Sequence, residues 1–497
     1  MSNSMNNTSP RHARRRSVGR CALAGVAALT LLASGAAAPA QAVTTFPSDD
    51  AKPDQIAALS GYSDLWQTSG QNDLHGTVKN GPALQWNDRV TSWINQNATA
   101  KQQFRALQNA KYLESDGSGY DQSISIADGL GSKLGQLYAQ GRIADKLPLT
   151  AALINSKNGT SGAYVNTDLS KPAFSHPRPY LSADPNAAPV AGDEDACAPS
   201  KVNSSSLVGN RKGKPWADAK GNLKITRLAS RTDTTHEFAD IDVPLTGSYG
   251  EKGLCTGGSF PSGHTATAYQ AAITLAMLLP ELAPEILTRA SEAGNNRMVV
   301  GVHYSLDIIG GRIVGQQAMA KRWGDSAFRD AVLKPARAEL VSYLETECGA
   351  KLATCIAKDK AYADNPYGGK KLPGGTSQIV KNRKTAVKVY TERLGYGFAP
   401  VRSVTQSASV PAGAESLLQT VFPKLTGKQR RSVLAQTEAR SGHPLDTTWS
   451  SRHGTAPGSW QRLNLAAAMS ARVLVYRSGK VVVSSVGGKA TTVFLKR

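Results

Sequence analysis

Cysteine is scarce in this chain, and long apolar runs are missing after its N-terminus. Five cysteines in 497 residues exclude a small scaffold that depends on disulfides. The lack of a run of roughly 18 apolar residues beyond the N-terminus excludes a polytopic membrane protein. Hydrophobic residues make up 40% and charged residues 19%, which is typical of a globular chain and not of a disordered one. The length allows two or three domains.

Acidic residues are fewer than basic ones. The chain has 58 Lys and Arg against 37 Asp and Glu, a net charge of +21. Removing residues 1–42, which hold five Arg and no acidic residue, lowers the net charge to +16. Such an excess is compatible with anionic substrates or cell-envelope polymers. No nucleic-acid-binding motif is found, so we expect no nucleic-acid partner, and a solvated basic surface is the default interpretation.

The first 42 residues have the three parts of a secretory signal peptide. A basic segment ending at Arg20 is followed by the apolar stretch from Cys21 to Ala38, and Ala40 and Ala42 are small residues that suit a cleavage site. We predict cleavage between Ala42 and Val43, and therefore a secreted or periplasmic protein or one of the cell envelope. A membrane anchor is the weaker interpretation, because the apolar stretch is short and rich in Ala and Gly.

Four cysteines remain after that cleavage, and an even number in an exported chain predicts two disulfides. Of the three possible pairings, the simplest joins Cys348 to Cys355 and leaves Cys197 to pair with Cys255. A zinc site is the alternative, but no CxxC pair and no adjacent histidine pair accompanies these cysteines. No metal site is therefore expected.

Apolar periodicity predicts a mainly α-helical protein with a small α+β region at its C-terminus. Helices are predicted over Arg89–Leu113, from Thr265 towards Leu287 with a break at Pro280, over 298–320, and within about 413–440. Residues 181–254 are polar and are interpreted as an inserted loop region. We predict a helical catalytic domain over 43–365 and a C-terminal extension over 366–497, which ends in a hairpin around Ser478-Gly479 and a final strand.

Three clusters of residues suggest chemistry. They are Lys171 to Pro179 (KPAFSHPRP), Gly258 to Thr265 (GSFPSGHT), and Asn296-Arg297 with His303 and Asp307. Each has an ordinary explanation when taken alone. Lysine and arginine are usually solvated, PSGH can be a turn before a helix, and a histidine near apolar residues is more often a buried core residue than a catalyst.

Taken together, the clusters predict a phosphate-binding site. Lys171, Arg178 and Arg297 supply three cations, and the planar guanidinium groups suit phosphoryl oxygens. Ser262 and Gly263 precede an apolar helix, so their N–H groups lie at a helix N-terminus, which attracts anions. Gly263 has no side chain to obstruct a close approach.

Two histidines complete the predicted site. His303 and Asp307 are four residues apart, so we expect them on one helical face. Asp307 would accept the Nδ1–H of His303 and leave Nε2 as a nucleophile. His264 would be the general acid for the leaving group.

The pattern K-x6-RP, PSGH and R-x5-H-x3-D resembles the signature of the type 2 phosphatidic acid phosphatase superfamily. The GSFPSGHT segment is similar to that of bacterial class A non-specific acid phosphatases. The resemblance implies a helical-bundle core of the vanadium haloperoxidase type, a phosphohistidine on His303, and neither metal nor cofactor. Three features depart from it: Asn296 stands where Ser is usual, Phe260 stands where Tyr is usual, and 81 residues separate Pro179 from Pro261.

We therefore expect a secreted acid phosphatase that acts on small phosphorylated substrates, with possible cell-envelope association. One alternative is a vanadium-dependent haloperoxidase that uses the same residues, and another is a phosphatase of phospholipids or isoprenoid phosphates. A more distant alternative is a non-catalytic envelope-binding protein. The sequence leaves the natural substrate and the oligomeric state open.

Overall fold

A computed structural model describes residues 45–112, 121–156, 158–179, 204–246, 258–448 and 458–495. Phe46–Arg497 forms one compact unit. The predicted signal peptide and the predicted Cys197–Cys255 disulfide lie outside the described residues.

Helices dominate the described residues, which confirms the mainly α fold class. In the N-terminal part these helices are α1 (Gln55–Leu59), α2 (Gly81–Asn97), α3 (Ala100–Lys111), α4 (Gln122–Ser125), α5 (Ser132–Ile143), α6 (Pro148–Ile154), α7 (Ser170–Phe174) and α8 (Ser205–Arg211). They are followed by α9 (Gly263–Leu278), α10 (Ala283–Val299), α11 (Ser305–Gly324), α12 (Ser326–Cys348), α13 (Leu352–Lys358), α14 (Arg383–Arg393), α15 (Gly427–Thr437) and α16 (Leu465–Ala468).

The centre of the fold is the group of helices α9, α10 and α11. Helix α9 is apolar on all sides, and nearly all its residues are buried, as expected of a helix surrounded by protein. It packs on α10 and α11. Helix α9 ends before Pro280, because proline removes a backbone donor and cannot continue a helix.

Two of the predicted helices contain breaks. The predicted helix Arg89–Leu113 is interrupted at Ala98, because Thr99 caps α3 by accepting a hydrogen bond from the backbone N–H of Gln102 at 3.2 Å. The predicted helix over 298–320 was wrong in its first part. Helix α10 ends at Val299 and α11 begins at Ser305, so the residues between them form a loop.

The strands are short. Two pairs, β1 (Trp66–Gln67) with β2 (Thr77–Val78) and β3 (Arg231–Asp233) with β4 (Val243–Leu245), are antiparallel. The C-terminal sheet has the order β6-β5-β7 and contains β5 (Arg472–Val475), β6 (Val481–Ser485) and β7 (Thr491–Phe494). The predicted hairpin is the antiparallel β5–β6 pair, and the final strand β7 lies parallel to β5.

The C-terminal region packs against the central helices. Arg312 on α11 is buried, and its guanidinium donates to the backbone carbonyls of Gln461 at 2.9 Å and of Leu394 at 3.4 Å. Helices α14 and α16 contact α10. Helix α15 contacts β6, so the small sheet packs on a helix, as a sheet of this size requires. The boundary at 365/366 stays a prediction.

A disulfide joins Cys348, at the end of α12, to Cys355 in α13, which confirms that pairing. Among the described residues, no single helix is both long and apolar enough to cross a membrane, although α9 together with Pro280–Val299 meets those criteria as a pair bent by 117°.

Candidate active site

The loop before α9 is tied to the start of α11. The Oγ of Ser262 accepts a hydrogen bond from the backbone N–H of Thr265 at 3.3 Å and thereby caps α9. The backbone N–H of Ser262 donates to the carbonyl of Asp307 at 3.0 Å. The beginnings of α9 and α11 are therefore held together, with Gly263 and His264 in the first turn of α9.

Two glycines of α11 permit this close approach, and the sequence analysis missed both. A Cβ atom on Gly311 would lie 2.4 Å from the carbonyl oxygen of Ser262, and one on Gly310 would lie 2.6 Å from the ring of Phe260. No larger residue fits at either position without displacing the loop. Only the short spacing of the two glycines from Asp307 could have suggested such a role.

His303 lies in the loop between α10 and α11, one residue before the N-cap Tyr304, and not on a helical face as predicted. Its Nδ1 still lies 3.1 Å from Oδ2 of Asp307. The same Oδ2 accepts the backbone N–H of Tyr304 at 2.8 Å. Asp307 is thus an N-terminal capping residue that also orients the imidazole of His303.

Arg178 determines the tautomer of His303. Its Nη1 lies 3.1 Å from Nε2 of His303 and 2.9 Å from the carbonyl of Val302. Because a guanidinium can only donate, Nε2 must accept, and the proton of the neutral ring is on Nδ1, where it faces Asp307. Nε2 of this buried, neutral histidine therefore carries a lone pair, which accepts from Arg178.

Lys171 and Arg297 lie close enough to His264 and His303 for their charges to act on both rings. Lys171 is on α7, and its Nζ donates to the carbonyl of Gly258 at 3.2 Å. Arg297 is in the last turn of α10 and is buried. Burial is the largest cause that lowers the pKa of Lys171, and the positive charge of Arg178 adds to it. The cations are thus close enough to repel one another, an arrangement that an anion would relieve.

The pKa of each histidine is held well below its ordinary value. For His264 the causes are burial and then the charges of Arg297, Arg178 and Lys171. Burial and Arg178 are the main causes for His303. Among the described residues, no hydrogen-bond partner reaches Nε2 of His264. That buried polar atom is available for a ligand beside the cations.

Burial raises the pKa of Asp307 to about 7, whereas the hydrogen bond from the Tyr304 backbone and the charges of Lys171 and Arg178 lower it. The hydroxyl of Ser259 lies 3.4 Å from its Oδ1. The Asp307 carboxyl therefore has a partner on each oxygen.

Arg211 was not predicted as a site residue, yet it supports the loop that carries His303. It comes from α8, inside the segment predicted as an inserted loop, and is buried. Its guanidinium makes two hydrogen bonds of 2.9 Å to Asp88 and donates to the hydroxyl of Tyr304 at 2.6 Å. Tyr304 is the residue whose N–H holds Asp307. No local signal in the sequence links these positions.

His176 is a third buried histidine near the site. Its ring packs against Trp66 and Tyr304, and its Nδ1 lies 2.8 Å from the carbonyl of Pro177. Burial and the charge of Arg211 lower its pKa to about 3. Its backbone carbonyl accepts the N–H of Ser259 at 2.7 Å, which connects the first and second clusters of the sequence.

Asn296, which stands in place of the usual serine, belongs to a buried polar network. Its Nδ2 donates to Oδ1 of Asn109 at 2.8 Å, and its Oδ1 accepts from Gln102 at 2.6 Å. Gln102 also donates to Glu292 at 2.8 Å. The amide therefore fixes α3 against α10, one residue before Arg297.

Part of the chain matches a known protein family. Residues 152–320 match the model of a family described as the PAP2 superfamily. We call residues 152–320 the PAP2 segment. All eight residues of the predicted catalytic and phosphate-binding sets lie within the PAP2 segment: Lys171, Arg178, Ser262, Gly263, His264, Arg297, His303 and Asp307.

Three curated relatives resemble parts of the chain. An acid phosphatase of Zymomonas mobilis subsp. mobilis is 35% identical over 105 residues, 21% of this chain and 40% of the relative. A non-specific acid phosphatase of Providencia stuartii is 33% identical over 114 residues, 23% and 46% of the two chains. A non-specific acid phosphatase of Salmonella typhi is 38% identical over 84 residues, 17% and 34% of the two chains. The chain thus spans less than half the length of these relatives, and these matches confirm the resemblance found in the sequence.

Proposed function

We propose that this protein is an exported phosphatase that hydrolyses phosphate monoesters through a phosphohistidine on His303. The observation that carries the proposal is the environment of that ring. Asp307 lies at its Nδ1 and Arg178 at its Nε2, so a neutral imidazole presents a lone pair to a site lined with cations. This is the arrangement that a histidine nucleophile for a phosphoryl group requires.

In the first step, Nε2 of His303 attacks phosphorus. The P–N bond forms as the P–O bond to the leaving group breaks, and His264 gives its proton to the departing oxygen. In the second step, water attacks phosphorus while His264 takes a proton from it. The P–N bond then breaks, which releases inorganic phosphate and restores neutral His303.

Lys171, Arg178 and Arg297 provide the charge that the transferring group needs. The guanidinium of Arg178, which contacts Nε2 of His303, turns to the phosphoryl oxygens when substrate enters. Once Arg178 has turned, these donors stabilise the transition state, and one donor is worth roughly 3–4 kcal/mol. With the negative charge balanced by side chains, we expect turnover to survive EDTA.

The protonation of His264 depends on the substrate. Burial and then the three cations lower its pKa, so the free protein holds this ring neutral. A bound phosphate dianion offsets those charges and raises the pKa of His264. The general acid is therefore protonated only when substrate is present. Because protonation becomes easier as pH falls, we expect an optimum on the acid side of neutral.

The three relatives are all acid phosphatases, which supports phosphate monoesters as the substrate class. Export is supported by the predicted signal peptide and by the Cys348–Cys355 disulfide, since disulfides persist in oxidising compartments. N-terminal sequencing of protein recovered outside the cytoplasm should begin at Val43. A sequence that begins at Met1 would contradict the proposed cleavage.

Hydrolysis of p-nitrophenyl phosphate by the purified protein tests the activity. We expect turnover by the wild type and by His236→Ala, a control that removes an exposed histidine paired with Asp242. The His303→Ala variant should lose about six orders of magnitude in kcat, the size of effect seen when a covalent nucleophile is removed. Halogenation that requires added vanadate, with no ester hydrolysis, would instead support the haloperoxidase alternative.

A further inference from the structure

The net positive charge of residues 43–497 lies in the C-terminal extension and not in the predicted catalytic domain. Residues 366–497 contain 21 Lys and Arg against four acidic residues, a net charge of +17, whereas residues 43–365 contain 32 against 33, a net charge of −1. A charge difference of this size between two parts of one chain is a physical statement about its partners.

The difference is sharper at the surface. Among the described residues of 366–495, every exposed charged side chain is basic, and the four acidic side chains are partly or fully buried. The acidic groups are used for internal pairs, such as Glu438 with Arg462 and Glu415 with Arg431. Among the described residues of this region, no exposed acidic side chain therefore balances the exposed lysines.

Seven of these exposed residues form two groups at opposite ends of the C-terminal sheet, and we call them together the basic surface. One group comprises Lys381, Lys384 and Lys388 with Lys489, and the other comprises Lys428, Arg477 and Lys480. None of the seven forms an ion pair with a described acidic residue.

Contacts between elements hold each group together. Gly487, in the turn between β6 and β7, lies against Lys384 of α14. A Cβ atom placed on Gly487 would be 3.4 Å from the Cα of Lys384. At the other end, Gln429 of α15 donates to the carbonyl of Gly479 in the β5–β6 turn at 3.3 Å. Strand β6 separates the two turns, and its five residues span about 16 Å at roughly 3.3 Å per residue.

Helix stability does not explain this placement of charge. Lys384 and Lys428 are in the first turns of α14 and α15, and neither first turn contains an acidic residue. The helix dipole disfavours cations there by roughly 0.3–1 kcal/mol each. The lysines are therefore kept at a cost to the helices, which points to an external anion.

The exposed side of α14 argues against insertion of this helix into a lipid layer, although Tyr476 and Val486 are exposed in the two turns of the sheet. A helix that lies in a membrane interface presents an apolar face outwards. In α14 the apolar residues Ala386, Val389 and Tyr390 are buried inside the protein. The exposed side of the helix presents Lys384 and Lys388, about 6 Å apart along its axis, and Lys381 is exposed just before the helix begins.

From these observations we infer that the basic surface binds a linear, flexible polymer that carries a phosphate group in each repeat. Repeated negative charge matches the repeated lysines, and a flexible chain reaches both turns of the sheet. Binding of this kind releases counterions, so it weakens as salt increases, with a slope of roughly one unit of log affinity against log salt per phosphate contact. The surface would hold the protein on such a polymer, separately from its catalytic step.

The test measures binding of long-chain inorganic polyphosphate to the full chain over a range of salt concentrations. The His303→Ala background prevents consumption of the probe, and because no turnover is read, failure of the proposed phosphatase activity would leave this result intact. The triple variant Lys384→Gln/Lys388→Gln/Lys480→Gln should bind at least about tenfold more weakly, with a salt slope lower by about two to three units. Tripolyphosphate, too short to reach both groups, should bind far more weakly than the long chain.

The matched control is Lys101→Gln/Lys133→Gln/Lys146→Gln, which removes three exposed lysines from the region of net charge −1 and should change affinity less than about twofold. Equal affinity and equal slope in the two triple variants would overturn the proposal. So would tighter binding, per phosphate, to vesicles of phosphatidylglycerol or to duplex DNA than to polyphosphate.

Discussion

The PAP2 segment and the C-terminal region differ in where their candidate anion-binding residues lie: those of the first are buried at the site, and those of the second are exposed. In the PAP2 segment, Arg178 and Arg297 are buried beside two histidines, and their charges lower the pKa of both rings. In the C-terminal region, lysines such as Lys384 and Lys480 are exposed. A buried cation acts on one bound group through a low dielectric, whereas an exposed one is screened by solvent and acts only in numbers. Net charge therefore points to the exposed basic surface and does not reveal the buried site.

After the loss of the nucleophile, the largest effect should come from removing His264, whose pKa is lowered by burial and by the nearby cations. His264→Ala should lower kcat for an alkyl phosphate by roughly 10²–10⁴-fold, because an alkoxide leaves poorly without a proton. The loss should be much smaller with p-nitrophenyl phosphate, whose leaving group is a stable phenolate. Equal losses with both substrates would show that His264 has another role.

Substitution of one lysine in each region compares the two directly. Lys171→Gln should lower kcat/KM for p-nitrophenyl phosphate by about 10²–10³-fold, since it removes a fixed charge from the transition state. Lys480→Gln removes the same charge from the exposed surface and should change that value less than about twofold. A large loss in the second variant would mean that the C-terminal region takes part in catalysis.

Packing gives a smaller contrast of the same kind. Gly311→Ala places a methyl group 2.4 Å from the carbonyl oxygen of Ser262 and should lower the free energy of unfolding by about 1–3 kcal/mol. Gly395 in the C-terminal region has no atom within 4 Å of its Cβ position and no left-handed backbone. Chemical denaturation should therefore show almost no loss for Gly395→Ala. Similar losses in both would contradict the close approach of α11 to the Ser262 loop.

The smallest effect concerns pH and folding. The pKa of His176 falls from 6.5 to about 3 in the folded protein, so between these values the unfolded chain binds a proton that the folded chain does not. The free energy of unfolding should therefore fall as pH drops below 6.5, by about 1.4 kcal/mol per pH unit for this one group. His176→Phe, which keeps an aromatic ring, should reduce the slope of unfolding free energy against pH by that amount. An unchanged slope would show that His176 is protonated in the folded protein.

The sequence predicted the parts of the site that depend on local order. Ser262 caps α9 and His303 contacts Asp307, as expected from their positions in the motifs. The reason for the second contact was wrong, because His303 precedes α11 and meets Asp307 through the cap of that helix. The apolar pattern continues across the loop, so periodicity alone could not reveal the break.

The supporting residues could not be predicted, because they depend on contacts between distant segments. Arg211 reaches Tyr304 across 93 positions of the chain, and Gly311 matters only because the Ser262 loop lies against it. The distribution of charge in the C-terminal region could be counted from the sequence. Its concentration in exposed lysines and its grouping by the two turns required the fold.

The most direct test of the account is to trap and map the covalent intermediate. Protein mixed briefly with ³²P-labelled phosphate ester and quenched in base should carry phosphate that is stable to base and lost in acid, as a phosphohistidine is. Peptide mapping should place the label on the peptide that contains His303, and His303→Ala should carry none. Label on another peptide, or steady turnover by His303→Ala, would contradict the account.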